Sequence, residues 1–211
     1  VLASITGMDR RGRSEGAIVE VLELTPDDRA LFEKMALEGF QAGLSWITIL
    51  RKRPRFREVF AGFEPAAVAA FDEADVERLM ADAGIIRNRA KILATIGNAR
   101  LVVAMAPGEL DALMWSFAPA PRAEADRPRA FADVPAVTAA SDALSKALRK
   151  AGFRFVGSTT MYALMQSTGM VDDHLAGCWR AASAPPPPRA RRRRSRAGGR
   201  GARRTPRCVT P

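Results

Sequence analysis

Several residue types that define common protein classes are scarce in this chain of 211 residues. It contains one histidine, His174, and two cysteines, Cys178 and Cys208. Two cysteines cannot build a disulfide framework, which agrees with a reducing compartment. No apolar run approaches the roughly 20 residues that a membrane-spanning helix requires, and residues 1–16 lack the continuous apolar stretch of a secretory signal. The sequence therefore predicts a cytoplasmic protein without a membrane segment.

Acidic residues are absent from one end of the chain, and this explains the net charge of +10. Residues 185–211 hold ten arginines and no acid, so the remaining 23 basic residues match the 23 acidic ones. The body of the protein is neutral. Global charge therefore indicates nucleic-acid binding only for the arginine-rich end, and any such role of the body needs a separate argument.

Composition divides the chain into three regions. Residues 1–24 form an atypical N-terminal segment, in which residues 17–24 fit either a short strand or a helix end. Residues 25–180 have helical spacing nearly throughout and no useful alternating run, which predicts an all-α domain. Residues 181–211 are dominated by proline, arginine, glycine and alanine, a composition that cannot supply a packed core. They are expected to be a disordered basic tail.

Caps and apolar spacing place the helices within residues 25–180. Thr25 and Pro26 have the cap and first-position chemistry of a helix start, and the next helix should contain Trp46 and stop or kink at Pro54. Asp72 is the expected cap of another. The remaining predictions are a helix over 87–105 with Ile92, Ile96, Ala99 and Val103 inward, one capped by Ser141 and closed by Gly152, one from Ser158, and a short one carrying His174 and Cys178.

The first candidate segment, residues 37–46, combines a carboxylate, two glycines and an indole at a junction between helices. Trp46 can stack on a flat cationic purine, and Glu38 can accept a hydrogen bond from the exocyclic amine of that base while offsetting its charge. The alternative is that Trp46 belongs to the core and Glu38 is a capping or solvated acid.

The second candidate is the hairpin over residues 152–157, which connects two predicted helices. Backbone amides at the start of the helix from Ser158 are unpaired, so a phosphate can bind there without a basic side chain. A neutral protein body can hold DNA in this way. An ordinary helix connection with glycine after the helix end fits the same pattern.

The third candidate is the pair His174 and Cys178, four residues apart. On a helix, this spacing places both side chains on one face, where they can bind one Zn²⁺ together with two further ligands. Those two ligands are not visible in the sequence. The alternative is that both are packing residues.

Eight motifs, taken together, resemble the DNA-3-methyladenine glycosylase I family. They lie in register over about residues 28–180: LEGFQAGLSWIT at 37–48, DAGIIR at 82–87, KI at 91–92, IGNAR at 96–100, LMWSF at 113–117, SDALSKAL at 141–148, GFRFVG at 152–157 and DHLAGC at 173–178. The resemblance implies a helix-hairpin-helix bundle that flips 3-methyladenine out of duplex DNA and hydrolyses its N-glycosidic bond. A monomer acting on double-stranded DNA with alkylated purines is expected.

The resemblance also implies residue roles. Glu38 would be the catalytic residue and would contact the flipped base, and Trp46 would stack on that base. The DNA-binding residues would be Gln41, Gly43 and Leu44 at the wedge, with Phe155, Val156, Gly157 and Ser158 at the backbone phosphate. Because the substrate base is already a cation and a good leaving group, neither a strong nucleophile nor a lyase lysine is required.

Residues 1–24 depart from the family pattern, since they contain no Cys, His, Tyr or Trp. In the family this region supplies two ligands of a structural zinc site and aromatic walls of the pocket, which leaves His174 and Cys178 as half of that site. One hypothesis is that the ends are out-of-frame or mis-started translation. The other hypothesis is a divergent protein that has lost the structural zinc site.

The sequence also leaves two alternative functions open. One is a DNA-binding module that is catalytically impaired or inactive. The other is a nonspecific nucleic-acid arm at residues 185–211.

Overall fold

A computed structural model describes residues 28–178, and these residues form a helical bundle. Within this range there is no strand, so the all-α prediction is confirmed, and no helix is long and apolar enough to cross a bilayer. The predictions for residues 1–24 and 181–211, and the predicted helix start at Thr25 and Pro26, lie outside the described residues. The helices are α1 Asp28–Gln41, α2 Trp46–Val59, α3 Pro65–Ala69, α4 Glu73–Ala81, α5 Arg89–Ala104, α6 Glu109–Trp115, α7 Ala139–Lys150 and α8 Ser158–Thr168, with short 3-10 turns at Ala61–Phe63, Glu124–Asp126 and Phe131–Asp133.

Helix α1 lies at the centre of the bundle and contacts α2, α5, α6 and α8. Its Phe32 and Phe40 are fully buried, and the Phe40 ring centroid lies 4.7 Å from that of Phe56 in α2. The Phe60 and Phe63 rings continue this aromatic cluster, stacked 5.3 Å apart. Aromatic burial of this extent stabilises the packing strongly. Residues at the C-terminal end of α1 are therefore held by the core on several sides.

Side-chain caps set the starts of two later helices. Asp72 caps α4 as predicted, because its carboxylate accepts from the Asp75 amide at 3.1 Å. Ser141 is not the cap of α7, contrary to the prediction. Thr138 is the cap, and its Oγ1 accepts from the Ser141 amide at 3.2 Å, while the Ser141 hydroxyl accepts from the Thr138 amide at 2.9 Å. Ser141 thus closes the capping box from the third helical position.

The structure decides one alternative of the helix prediction and corrects another detail. Helix α2 contains Pro54 and continues to Val59, which excludes a stop at the proline. Proline removes one backbone hydrogen bond, but its neighbours Arg53 and Phe56 are buried, and this packing outweighs the loss. In α5 the inward stripe passes through Val102, which is 6% exposed, whereas Val103 is 52% exposed. Both positions suit helical spacing after Ala99, and the contacts of α5 with α3 and α4 select the first.

The predicted short helix at His174 and Cys178 is also wrong. Gly169 has a left-handed φ of 78° and ends α8, and no helix follows within the described residues. The Ala176 amide donates to the Pro128 carbonyl at 2.8 Å, and the Cys178 amide donates to the Leu175 carbonyl at 2.9 Å. The segment is therefore a non-helical chain that turns against the 122–128 loop.

Candidate functional site

Glu38 lies at the C-terminal end of α1, where the core buries its side chain. The residue is 4% exposed, and the Ser167 hydroxyl in α8 lies 3.3 Å from its Oε1 and donates to it. Burial raises the pKa of Glu38, because a charged carboxylate loses its hydration there; the positive charge of Lys34 acts in the opposite direction. Glu38 is therefore a buried acid with few partners, which is an unusual state for a residue that has only a structural role.

The turn after α1 carries the predicted wedge residues to the surface. Gly43 has a φ of 84°, which strongly favours glycine, and the Leu44 amide donates to the Gln41 carbonyl at 2.6 Å. Leu44 is 42% exposed although it is apolar, and Gln41 is half-buried. Trp46 then begins α2. The turn thus exposes an apolar side chain between α1, which carries Glu38, and α2, which begins at Trp46.

Lys91 holds this turn in place, a role that the sequence patterns did not reveal. Its Nζ donates to the Phe40 carbonyl at 2.9 Å and to the Ala42 carbonyl at 2.8 Å, both at the end of α1. These carbonyls have no partner inside the helix, so a buried ammonium is an effective C-terminal cap. Burial lowers the pKa of Lys91. The only signal in the sequence was a lysine directly before Ile92 on an apolar helix face.

Lys34 is the second residue that sequence reasoning missed. Its Nζ lies 4.8 Å from the centre of the Trp46 ring, a cation–π distance. Lys34 is half-buried and stands one helical turn before Glu38. Burial lowers the pKa of Lys34, whereas the negative charge of Glu38 raises it. Lys34 thus places a cation on the Trp46 ring, within the electrostatic influence of Glu38.

The predicted hairpin joins α7 and α8 and has a specific internal bonding pattern. Gly152 ends α7 with a φ of 97°, and Phe155 has a φ of 57°, which non-glycine residues adopt only rarely. The Asn98 side chain accepts from the Arg154 amide at 2.9 Å and donates to the Arg154 carbonyl at 3.0 Å. The Ser145 hydroxyl donates to the Val156 carbonyl at 2.7 Å. Side chains of α5 and α7 therefore hold the hairpin backbone.

The start of α8 leaves backbone donors available. Among residues 28–178, the amides of Phe155, Val156 and Gly157 donate to no protein acceptor. Phe155 is 40% exposed, while Val156 is buried and anchors the loop. The Ser158 hydroxyl contacts Asp142 rather than closing over these amides. A helix start with unpaired amides is suited to binding an anion such as a phosphate.

A contact joins the hairpin to the segment that carries Glu38. A Cβ placed on Gly39 would lie 3.3 Å from the Cβ of Phe155, so a larger residue would require the loop to shift by a few tenths of an ångström. A small cavity lies beside this contact, between α1, α5 and the hairpin. Neither Glu38 nor Trp46 lines it, and it is a packing gap rather than the candidate base site. Its lining residues are Met35, Ala36, Gly39, Phe40, Lys91, Ala94, Thr95, Asn98, Arg154 and Phe155.

The predicted zinc ligands lie on the turn after α8. The His174 Nδ1 lies 2.7 Å from Asp172 Oδ1, and Cys178 is a free, half-buried thiol. Within residues 28–178, no group of three or more His, Cys, Asp or Glu side chains is placed to hold a metal ion. The described residues alone therefore do not form a zinc site.

A helical bundle with this hairpin and a buried acid beside it defines a helix-hairpin-helix DNA glycosylase fold. Comparison with known families agrees, since the model described as methyladenine glycosylase matches residues 23–181. This chain belongs to the methyladenine glycosylase family.

Individual relatives show the extent of the similarity. The chain is 52% identical to DNA-3-methyladenine glycosylase 1 of Escherichia coli K12 over 155 residues, covering 72% of this chain and 82% of that protein. A crystal structure of a 3-methyladenine DNA glycosylase I superposes with a TM-score of 0.68 at 48% identity, covering 74% and 86% of the two chains. A Staphylococcus aureus 3-methyladenine DNA glycosylase I gives a TM-score of 0.68 at 34% identity, covering 77% and 85%.

Proposed function

We infer that this chain excises 3-methyladenine from alkylated double-stranded DNA by hydrolysing the N-glycosidic bond. The names of its relatives support this substrate. The observation that carries the proposal is the contact between Gly39 and Phe155. Gly39 directly follows the buried Glu38, and Phe155 belongs to the hairpin that is proposed to bind phosphate, so the contact brings the two parts of the site together. The predicted monomeric state and cytoplasmic location belong to the same proposal.

Base recognition in this proposal uses Glu38 and Trp46. The indole ring of Trp46 stacks on the flat purine and attracts its positive charge. The Glu38 carboxylate accepts a hydrogen bond from the exocyclic amine, and in a buried site this charge-assisted bond is stronger than in water. Both side chains belong to helices that pack against the core, which fixes the backbone positions of the two recognition residues.

Bond cleavage then needs little from the protein. The bonding electrons of the N-glycosidic bond move to the cationic base, which leaves as a neutral purine. Water adds to the C1′ carbon and releases a proton, leaving an abasic site. The negative charge of Glu38 stabilises the positive charge that develops on the sugar. No covalent intermediate with a protein nucleophile is involved.

Strand binding in this proposal uses the wedge turn and the hairpin. The amides of Phe155, Val156, Gly157 and Ser158 bind one backbone phosphate at the start of α8. Exposed Leu44 enters the space vacated by the flipped base, supported by the turn that Gly43 allows and by Gln41. Such binding does not require a basic protein surface, which fits the neutral charge balance of residues 1–184.

Zinc binding remains a proposal drawn from family resemblance. His174 and Cys178 would hold Zn²⁺ together with two ligands from outside residues 28–178, because the described residues do not complete a site. Such a zinc would be structural and would tie segments of the chain together. No step of the reaction proposed above depends on it.

Release of free base tests the proposed function directly. The purified chain is incubated with methylated duplex DNA, and free 3-methyladenine and abasic sites are counted. Glycosylase activity yields one abasic site for each base released.

A folded protein that releases no base but binds DNA with strong salt dependence would instead be a binding module. The cation on the Trp46 ring is the observation that favours this second candidate, since it occupies a surface that the base requires.

A further inference from the structure

One face of the Trp46 ring already has a cationic occupant. The Lys34 Nζ lies 4.8 Å from the ring centre, within the distance at which a cation and an aromatic ring attract each other. Lys34 reaches Trp46 from α1, so this contact joins α1 to the start of α2. It is not a loose surface contact, because Lys34 is half-buried and Trp46 packs against the core.

The charges around Lys34 explain why the ammonium group lies there. Glu38 and Glu33 attract it, Arg53 repels it, and burial opposes its charged form. A desolvated ammonium gains more from an aromatic face and a nearby carboxylate than an exposed one does. Lys34 therefore lies on the Trp46 ring and is attracted by the charge of Glu38. These are the two groups that the proposed function assigns to the cationic purine.

We propose that Lys34 is a resident competitor of the cationic base, and that its side chain must leave the Trp46 ring before a flipped purine can stack there. This inference rests on the proposed function and deepens it. Two cations cannot share one ring face and one carboxylate without repulsion. Lys34 therefore sets the affinity of the pocket: base binding includes the displacement of Lys34, and only a purine that replaces both of its interactions binds well.

Replacing Lys34 by methionine tests the proposal, because Lys34→Met keeps the chain length and removes the charge. Lys34→Arg keeps the charge. Lys52→Met is the matched control, because it changes the net charge by the same amount. The Nζ of Lys52 donates to the Ala83 carbonyl and not to the proposed base site. Urea unfolding of each variant establishes that it is folded.

Two readouts apply to all four proteins. The first is single-turnover release of 3-methyladenine from methylated duplex DNA over a range of pH, which gives a maximal rate, a half-saturating enzyme concentration and a pH profile. The second is calorimetric titration with free 3-methyladenine, which does not require catalysis. We expect Lys34→Met to lower the half-saturating concentration and the Kd by about tenfold, without loss of maximal rate. Lys34→Arg keeps a cation on the ring and should not lower the Kd. Lys52→Met should stay within about twofold of the wild type.

Two results would overturn the proposal that Lys34 competes with the base for the Trp46 ring. An unchanged or higher Kd in folded Lys34→Met would show that Lys34 does not obstruct the ring. A lower maximal rate together with a shifted pH profile would show that Lys34 instead positions or charges Glu38.

Failure of the proposed function is a separate result. If neither the folded wild type nor Lys34→Met releases base, the glycosylase assignment falls, and the calorimetric Kd values still decide whether Lys34 competes for the ring. A lower Kd in Lys34→Met would support the competition, and equal binding or none would reject it.

Discussion

Gly39 and Phe155 are in direct contact, although 116 positions separate them: a Cβ on Gly39 would lie 3.3 Å from the Phe155 Cβ. Gly39 follows Glu38 in α1, and Phe155 adopts a left-handed conformation at the tip of the hairpin. The position of the buried acid and the position of the hairpin proposed to bind phosphate are therefore coupled by one close packing contact. A change of a few tenths of an ångström at this contact moves one relative to the other.

Substitution of Gly39 by alanine tests this coupling. Gly39→Ala places a methyl group against Phe155, and we expect weaker DNA binding and slower base release because the hairpin must move. Gly97→Ala is the control, since a Cβ there meets nothing within 4 Å in the middle of α5. That change should stabilise the protein by about 1 kcal/mol through helix propensity. Urea unfolding and DNA titration measure both effects, and equal behaviour of the two variants would contradict the coupling.

Asn98 is expected to hold the shape of the hairpin. Asn98→Ala removes both hydrogen bonds to the Arg154 backbone and leaves partly buried polar groups without partners. The free energy of unfolding should fall by about 2 kcal/mol, and the affinity for duplex DNA should fall as the loop loosens. Asn98→Asp, which keeps only the acceptor, should give an intermediate loss of affinity. Full DNA affinity in Asn98→Ala would show that the hairpin keeps its shape without these bonds.

Burial of Glu38 predicts a pH dependence of stability. Because burial raises its pKa above the ordinary value of 4.5, the folded protein holds the proton more tightly than the unfolded chain. The contribution of Glu38 to the free energy of unfolding is therefore greatest below its unfolded-state pKa and is lost as the pH rises through its folded-state pKa. Glu38→Gln should remove this dependence, so the variant should gain stability relative to the wild type as the pH rises. If the free energies of unfolding of the two proteins change with pH in parallel, this prediction is contradicted.

Asp173, rather than His174, is expected to anchor the segment after α8. Its buried carboxylate accepts from Arg122 at 2.6 Å, from Gln166 at 2.8 Å and from the Tyr162 hydroxyl. Asp173→Asn should lower the free energy of unfolding by about 3 kcal/mol. His174→Ala should lower it by less than about 1 kcal/mol, because its bond to Asp172 is partly exposed. Thermal unfolding compares them, and a larger loss in His174→Ala would indicate a zinc ligand.

The sequence predicted the helical elements better than their packing. Asp72 was recognisable as a cap because its chemistry is local. Val103 was assigned to the core wrongly, because helical periodicity alone does not say which side of a stripe the neighbouring helices cover. The supposed helix at His174 and Cys178 failed for a related reason, since the tertiary bonds of Asp173 hold that segment in a non-helical form.

The candidate site was also predictable only in part. Glu38, Trp46 and the hairpin were found by residue type and motif. Lys91 and Lys34 were not, because each acts on residues that the fold brings close: Lys91 on the carbonyls of Phe40 and Ala42, and Lys34 on the Trp46 ring. No spacing rule connects such residues before the bundle has formed.

The most direct test of the central claim is the single-turnover rate of 3-methyladenine release by the wild type and by Glu38→Gln, which keeps the side-chain shape. Glu64→Gln is the matched control, because Glu64 is exposed and its side chain makes no capping bond. We expect release by the wild type and by Glu64→Gln, with a loss of about 100-fold in Glu38→Gln, comparable to the removal of one preorganised electrostatic group. Equal rates in all three proteins would contradict the assignment of Glu38 to the base.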